Sequence, residues 1–439
     1  MSSALTLGTM SPELLKVVER ARREPEGRFH SLAHLIDVPA LKRAYDRLRK
    51  NAAVGVDGMT KEAYGEELEV RLQELHARLR SRSYRHQPIR RVHIPKGQGK
   101  TRPIGISAFE DKLVQDAVRE VLEAIYEQDF LDCSYGFRPG RSPHDAMRTL
   151  DRVVHRGEVS WILEADIVSF FDSVDRTALV EMLQTRVADG SLLRLIGKCL
   201  HVGVLDGEVF SRPELGTAQG SVLSPILGNI YLHNVLDLWF ESEVKPRLRG
   251  QATLIRYCDD FIIGFEREED ARRVMEVLGE RLGCFGLSLH PGKTRLVPFR
   301  RPPRRQGSGK GPATFDFLGF TLYWVRSRAG RWRMGCKTER ARRRRAIRSV
   351  HEWCRKHRHQ PLAIQHAALR RRLQGHINYF GVNGNSRSLE LLVRTAERAW
   401  FKWLCRRSQR GRLTWERFAA LLRAYPLPRP RITVRIWGV

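Results

Sequence analysis

The sequence predicts an α+β fold, a body of mixed sheet and helix, followed by a helical and strongly basic last third. Three observations carry this. From Arg90 onward short strand-like runs alternate with helical ones without a regular βαβ period, so an α+β sheet domain fits better than a doubly wound parallel sheet. After residue 337 every long segment has helical spacing and is rich in arginine, beginning with ERARRRRAIRSVHEWCRK. Charge is divided along the chain: residues 295–439 hold 36 lysines and arginines against 6 acids, whereas residues 1–294 hold 42 against 43.

The elements follow in order. Residues 11–50 and 61–82 read as amphipathic helices, with Leu14, Val17, Val18 and Ala21 on one face and the Gly-containing NAAVGVDGMT between them. RRVHIPK is strand-like, GQGKTRP is a Gly/Lys turn, and Ala108 to Tyr126 is a long helix. A loop, CSYGFRPGRSPHD, leads to the helix AMRTLDRVVHR, the strand WILEADIVSF and a further helix. LGTAQGSVLSPILGNIYLHNVL then precedes a strand pair around Cys258-Asp259-Asp260, and residues 301–313 (RPPRRQGSGKGPA) read as a surface loop or linker.

A chain of 439 residues with 42% hydrophobic residues supports two or three domains with real cores. The seven cysteines are scattered without a CxxC pair, as expected of reduced thiols. Neither a signal peptide nor a membrane-length apolar run is present, so a soluble, cytoplasmic location with no membrane partner is expected. A basic segment almost without interspersed acids would repel itself unless a polyanion offsets it, which makes nucleic acid the natural partner.

Two apolar strands flank Asp259 and Asp260 in LIRYCDDFIIGF, which places the acids at a hairpin turn. Asp166 ends the apolar run WILEA. Two such strand ends side by side would bring like charges together, a costly arrangement unless cations intervene; all-oxygen ligands suit hard divalent ions, above all Mg2+. Two Mg2+ ions would serve in-line phosphoryl transfer. In SYGFRPGRSPHDA, Tyr135, Phe137, Arg138 and Arg141 suit stacking and charge contact with a template strand. Arg342, Arg343, Arg344 and Arg345 flank Ala346, Ile347, Val350 and Trp353 at helical spacing, an amphipathic helix with a wet basic face for phosphates.

The segments EADIVSFFD, GTAQGSVLSPILGNIYL, RYCDDFIIGF, LHPGKTRLV and FDFLGF, in this order, resemble those of reverse transcriptases. Together with RRVHIPKGQGKTRPIGISAFEDKLVQ, SYGFRPGRSPHDA and GHINYFGVNG, the chain resembles a group II intron-encoded reverse transcriptase/maturase over about residues 45–435. The resemblance implies a right-hand polymerase, with fingers and palm built on antiparallel sheet, then an α-helical thumb/maturase domain and a small basic C-terminal domain. The expected segments are 1–89 (N-terminal extension and start of the fingers), 90–325 (fingers and palm), 326–397 (thumb/maturase) and 398–439 (DNA-binding), with no endonuclease domain.

By the same resemblance Asp166, Asp259 and Asp260 are the catalytic carboxylates, and the Ile167 carbonyl is a further metal ligand. Phe171 lies beneath the incoming sugar and excludes a 2′-hydroxyl, and Gln219 lies over the nucleotide, with Ala218 where many relatives carry Pro. Lys96 and Arg102, with Arg90, close a hairpin on the triphosphate, and Lys293 lies near the nucleotide or primer terminus. Cys258 replaces the more usual Ala. The implied partners are group II intron RNA, an RNA template with a DNA primer, target DNA and dNTPs, with a homodimer left open. Two other functions fit parts of the pattern: a stand-alone, host-adopted reverse transcriptase, and a splicing factor without polymerase activity.

Overall fold

The computed structural model describes residues 10–97, 100–211, 213, 215–217, 220–303, 313–327, 329–407 and 413–437. They form a mixed α/β protein with antiparallel sheets, divided into two compact units that interleave along the chain. The first contains Met1–Pro143, Ala165–Ile263 and Glu269–Arg295; the second contains His144–Glu164, Gly264–Glu268 and Leu296–Val439.

The N-terminal helices are α1 (Pro12–Arg23), α2 (Val38–Arg47), α3 (Lys61–Gly65) and α4 (Leu68–Arg80). Ser11, Asp37 and Thr60 cap the first three by accepting from the amides of Leu14, Ala40 and Ala63. The hairpin of β1 (Ile89–Gly97) and β2 (Lys100–Ile106) follows, in the register Arg90↔Ile106 and Ile94↔Arg102. Helix α5 (Phe109–Tyr126) lies at the centre of the first unit, with even Asp116, Glu120 and Glu123 buried. Their charges are tolerated because arginines meet them: Arg43 and Arg47 reach Glu120 at 2.9 and 3.1 Å, and Arg119 reaches Asp116 at 2.8 Å.

Next come α6 (Pro143–Arg156), β3 (Trp161–Asp166), α7 (Phe170–Ser173), α8 (Arg176–Gln184), α9 (Gly190–Leu200), β4 (Val204–Asp206) and β5 (Val209–Ser211). Helix α10 (Ser224–Leu232) widens into π-helical turns, His233–Asp237 and Trp239–Val244. The strands β6 (Ala252–Tyr257) and β7 (Asp260–Phe265), then α11 (Glu268–Gly283) and β8 (Arg295–Pro298), complete this part. Strand orders are β2-β1-β4-β5 and β6-β7-β3-β8.

A three-stranded sheet, order β11-β10-β9, is formed by β9 (Phe315–Phe317), β10 (Phe320–Arg326) and β11 (Trp332–Thr338). Because β10 and β11 pair from Phe320↔Thr338 to Arg326↔Trp332, the basic helical segment begins only at Arg340. It consists of α12 (Arg340–Lys356), α13 (Leu362–Phe380), α14 (Ser386–Cys405) and α15 (Trp415–Ala424) around Val350, Cys354, Leu369, Leu373, Trp400 and Phe418. Ala346, Ile347 and Trp353 of α12 pack on this core, as the apolar spacing predicts, while Arg342, Arg344 and Arg345 are exposed. Most of the 301–313 segment lies outside the described residues. Among the described residues no helix is long and apolar enough to cross a membrane.

Candidate active site

Strands β6 and β7 are joined by a two-residue turn, Cys258-Asp259, and Asp260 opens β7. Tight hairpins of this kind need a positive φ, and Cys258 supplies it at 59°, in a region that costs a non-glycine residue roughly 1–2 kcal/mol. Neighbouring backbone holds the turn there. The Tyr135 amide donates to the Arg256 carbonyl and the Arg256 amide to the Cys133 carbonyl, both at 2.8 Å, so Cys133–Tyr135 runs beside β6. Gly136 then lies flat against the turn, where a Cβ would come within 2.8 Å of the Tyr257 carbonyl carbon. Only glycine fits without displacing the acidic turn.

Beneath it is a buried polar cluster that sequence reading missed. Arg256 is fully buried and uses all five of its N–H donors. Nε and Nη2 donate to Asp237 at 2.7 and 2.5 Å, Nη1 to Asn229 Oδ1 and the Cys258 carbonyl, both at 3.1 Å, and Nη2 to Ser134 Oγ at 2.8 Å. Asn229 Nδ2 in turn donates to the Gly136 carbonyl at 2.7 Å. Burial works against the guanidinium charge, but Asp237 more than offsets it and holds its pKa above the ordinary value. The available signal was an arginine inside an apolar strand, LIRY, which must find an acid when buried.

Asp166 ends β3, beside β7 in the sheet. The Ser160 amide donates to the Phe265 carbonyl at 2.7 Å; counted along an antiparallel pair from there, Asp166 falls level with the Cys258-Asp259 turn. Ile167 bridges Leu289, and the His290 amide donates to the Asp166 carbonyl at 2.7 Å, fixing the HPGK turn against the end of β3. Lys293 at that turn reaches Asp166 Oδ2 with its Nζ at 2.6 Å. As the side chains lie, no three His, Cys, Asp or Glu groups among the described residues converge closely enough to hold a metal. The donor chemistry nevertheless fits a hard ion: three carboxylates and a carbonyl, with no histidine among them. Burial, then the charge of Asp259, pushes the Cys258 thiol well up from its ordinary value.

The other expected residues divide. Phe171 is buried, 5.1 Å from the Phe170 ring, and both rings pack against Gly228. The Thr217 amide donates to the Phe171 carbonyl at 2.7 Å, laying Gly216 and Thr217 against α7. Gln219 lies outside the described residues, as does the side chain of Lys96 on β1. Gly220, at φ 108°, touches the base of the β1–β2 hairpin, where a Cβ would meet the Gly105 carbonyl at 2.6 Å. Arg102 is exposed on β2, whereas Arg90 turns back to donate to the Val54 carbonyl at 3.1 Å through Nε.

Arg138 does not face solvent: it is 6% exposed, pairs with Glu127 at 3.0 Å and donates to the Leu131 carbonyl at 2.8 Å. Its role there is to close the SYGFRPG loop, which corrects the expectation of a nucleic-acid contact. Arg141 is half-buried and pairs with the exposed Asp132 at 2.5 Å. Of the four α12 arginines expected to meet nucleic acid, Arg342 to Arg345, Arg343 is partly buried near Ser388, and Arg342 lies 3.7 Å from Glu339.

An acidic hairpin turn level with a third carboxylate on one antiparallel sheet has the donor chemistry that metal-assisted nucleotidyl transfer uses. Residues 94–322, just over half the chain, match the family described as reverse transcriptase (RNA-dependent DNA polymerase), and the chain belongs to that family. Its relatives sharpen the class. It is 33% identical to Escherichia coli protein YkfC over 73% of this chain and 90% of that one. It is 34% identical to the group II intron-encoded protein LtrA of Lactococcus lactis over 54% of this chain and 41% of LtrA. A 38% match to a protein of a Schizosaccharomyces pombe cob intron covers 45% of this chain and 24% of that protein. The chain thus spans less than half the length of these two intron proteins.

Proposed function

We propose that the chain is an RNA-directed DNA polymerase of the group II intron type, which binds intron RNA to assist splicing and copies it into DNA at a target site. The observation that carries this reading is the Cys258-Asp259 turn level with Asp166, with Asp260 beside it. In this reading the β1–β2 hairpin belongs to the fingers, the β6-β7-β3-β8 sheet to the palm, and α12 to α14 to the thumb, followed by a basic DNA-binding end. Asp166, Asp259, Asp260 and the Ile167 carbonyl would hold two Mg2+, which supply Lewis-acid activation of the primer hydroxyl and charge stabilisation on the leaving pyrophosphate.

The chain's own groups do the rest. Lys293 neutralises Asp166 and orients its carboxylate. Lys96 and Arg102 present cations to the β- and γ-phosphates of a dNTP, as developing charge there requires. The Phe171 ring, rigid against Gly228, leaves no room for a ribose 2′-hydroxyl, and Gln219 covers the nucleotide. The exposed arginines of α12 track phosphates of the template duplex or of intron RNA.

Asp259→Ala is the direct test: primer extension on an RNA template should be abolished while RNA binding is kept, and retained synthesis would sink the assignment. Assistance to splicing is read separately, on a group II intron RNA. Extension without any effect on splicing would favour a stand-alone reverse transcriptase.

A further inference from the structure

The first unit contains a cavity of about 470 Å3 between the 3-10 turn Ala33–Leu35, the end of α4 and one face of α9. Its walls carry Arg80, Arg82, Arg194, Lys198, His34 and His76, against a single carboxylate, Asp37. That carboxylate is already engaged in capping α2 at Ala40. Several arginines elsewhere in this unit are matched to acids, as in Arg43–Glu120, Arg119–Glu123 and Arg186–Asp129. Arg80, Arg82 and Arg194 form no ion pair among the described residues, and all three are exposed. The floor is apolar, with Ile36, Leu79 and Leu195.

Both ends of the cavity are pinned. The Asp189 carboxylate accepts from the amides of Leu32 and Ala33, at 2.6 and 2.7 Å, and from Ser191 and Leu192, at 2.8 and 3.1 Å, locking the 3-10 turn to the start of α9. Lys198 at the far end donates to the carbonyls of Arg82, at 3.1 Å, and Tyr84. Arg82 itself has φ 63°, a left-handed conformation that persists where its surroundings over-determine it. A preorganised pocket with an apolar floor and unpaired guanidinium groups is built for a ligand that has a flat apolar part and a phosphate. The size lies within the roughly 300–1,000 Å3 of small-ligand sites.

We propose that this cavity is a second nucleotide site, which takes one nucleoside phosphate unit with its phosphate on Arg80, Arg82 and Arg194 and its base over Ile36, Leu79 and Leu195. The unit is either a free nucleotide or part of a single-stranded RNA. This goes beyond the polymerase reading and does not rest on it.

The test compares the full-length chain with Arg80→Gln/Arg194→Gln, in EDTA, for binding of two probes: ATP by calorimetry and a short 5′-phosphorylated single-stranded RNA by anisotropy. Removing two charged donors to the phosphate should weaken binding at least about tenfold. Loss confined to ATP assigns a free nucleotide; loss confined to RNA assigns a strand. Primer extension measured alongside should be unchanged, so failure of the cavity and failure of the polymerase reading are told apart. The proposal is overturned if both probes bind the variant as they bind the unaltered chain. It also falls if the charge-matched control on α1, Arg22→Gln/Arg23→Gln, loses as much.

Discussion

Arginine does opposite work in the two units. In the first, near-neutral unit, the buried and half-buried arginines are internal ties, unlike the exposed arginines of its cavity: Arg256 to Asp237, Arg186 to Asp129, and Arg43, Arg47 and Arg119 to the acids of α5. Among the described residues after Thr338, one arginine pairs with a carboxylate, Arg342 with Glu339, at 3.7 Å. Apart from Arg343, which is partly buried near Ser388, the basic face of α12 from Arg340 to Arg348 meets solvent. Paired arginine fixes a geometry and has no charge left for a ligand; unpaired arginine binds polyanions and contributes little to folding. Net charge therefore reports the second use and hides the first.

The largest expected effect breaks the tie. Arg256→Leu leaves Asp237 charged and buried and frees the Cys258 carbonyl, and should cost roughly 3–5 kcal/mol by denaturant unfolding. Asp237→Asn should cost a similar amount, since it leaves the fully buried Arg256 guanidinium without its counter-charge. If Arg256→Leu unfolds like the unaltered chain, the cluster is not what holds the acidic turn.

On the other side of the comparison, Arg344→Gln/Arg345→Gln should leave unfolding within roughly 0.5 kcal/mol. Its effect should be on nucleic acid: weaker binding, with the slope of log K against log salt shallower by about 1 for each phosphate no longer neutralised. An unchanged salt slope would mean that these arginines do not meet phosphates.

How far each use was legible follows from the same contrast. Surface arginine was readable, because RARRRRAIRSV has helical spacing and no acids to pair with. The strands around Asp166 and Asp259 were readable from their apolar runs. Arg138 was misread, because its partner Glu127 lies in a different segment and no local pattern announces an ion pair. The three-stranded sheet from Phe315 to Thr338 was not anticipated, since β11 carries polar and charged residues among its seven and has no clean apolar alternation. GHINYFGVNG was readable only as a family segment. The structure shows what its residues do: Asn383 accepts from the Ile436 amide at 2.9 Å and donates to the Trp437 carbonyl at 3.0 Å, and Gly381 accepts from the Thr433 amide at 2.6 Å.

A smaller effect comes from histidine in the basic unit. Burial lowers the pKa of His376 from 6.5 to about 4, so the folded chain binds fewer protons than the unfolded one between those values. Its contribution to stability is therefore complete above about pH 6.5 and is lost as the pH falls toward 4. After allowing for its partial access to water, roughly 1–2 kcal/mol should disappear from pH 7 to 5, and His376→Gln should flatten that slope. A slope left intact in the variant would assign the loss to another group.

The smallest effect concerns Cys258, where the paired architecture meets the acidic turn. Its side chain is 3% exposed, and its thiol is held protonated by burial and by Asp259, while its backbone is held at a positive φ. Ala removes only a buried sulfur and keeps the same φ, so Cys258→Ala should change stability by less than about 1.5 kcal/mol and primer extension by less than roughly twofold. Gly relieves the strain at the same position, and should recover part of any loss. Alkylation should distinguish packing from chemistry: the exposed Cys284 should react with a thiol reagent at neutral pH while Cys258 stays protected in the folded chain. Rapid labelling of Cys258, or a large loss of synthesis in Cys258→Ala with unfolding unchanged, would show that the sulfur tunes the site and does more than fill it.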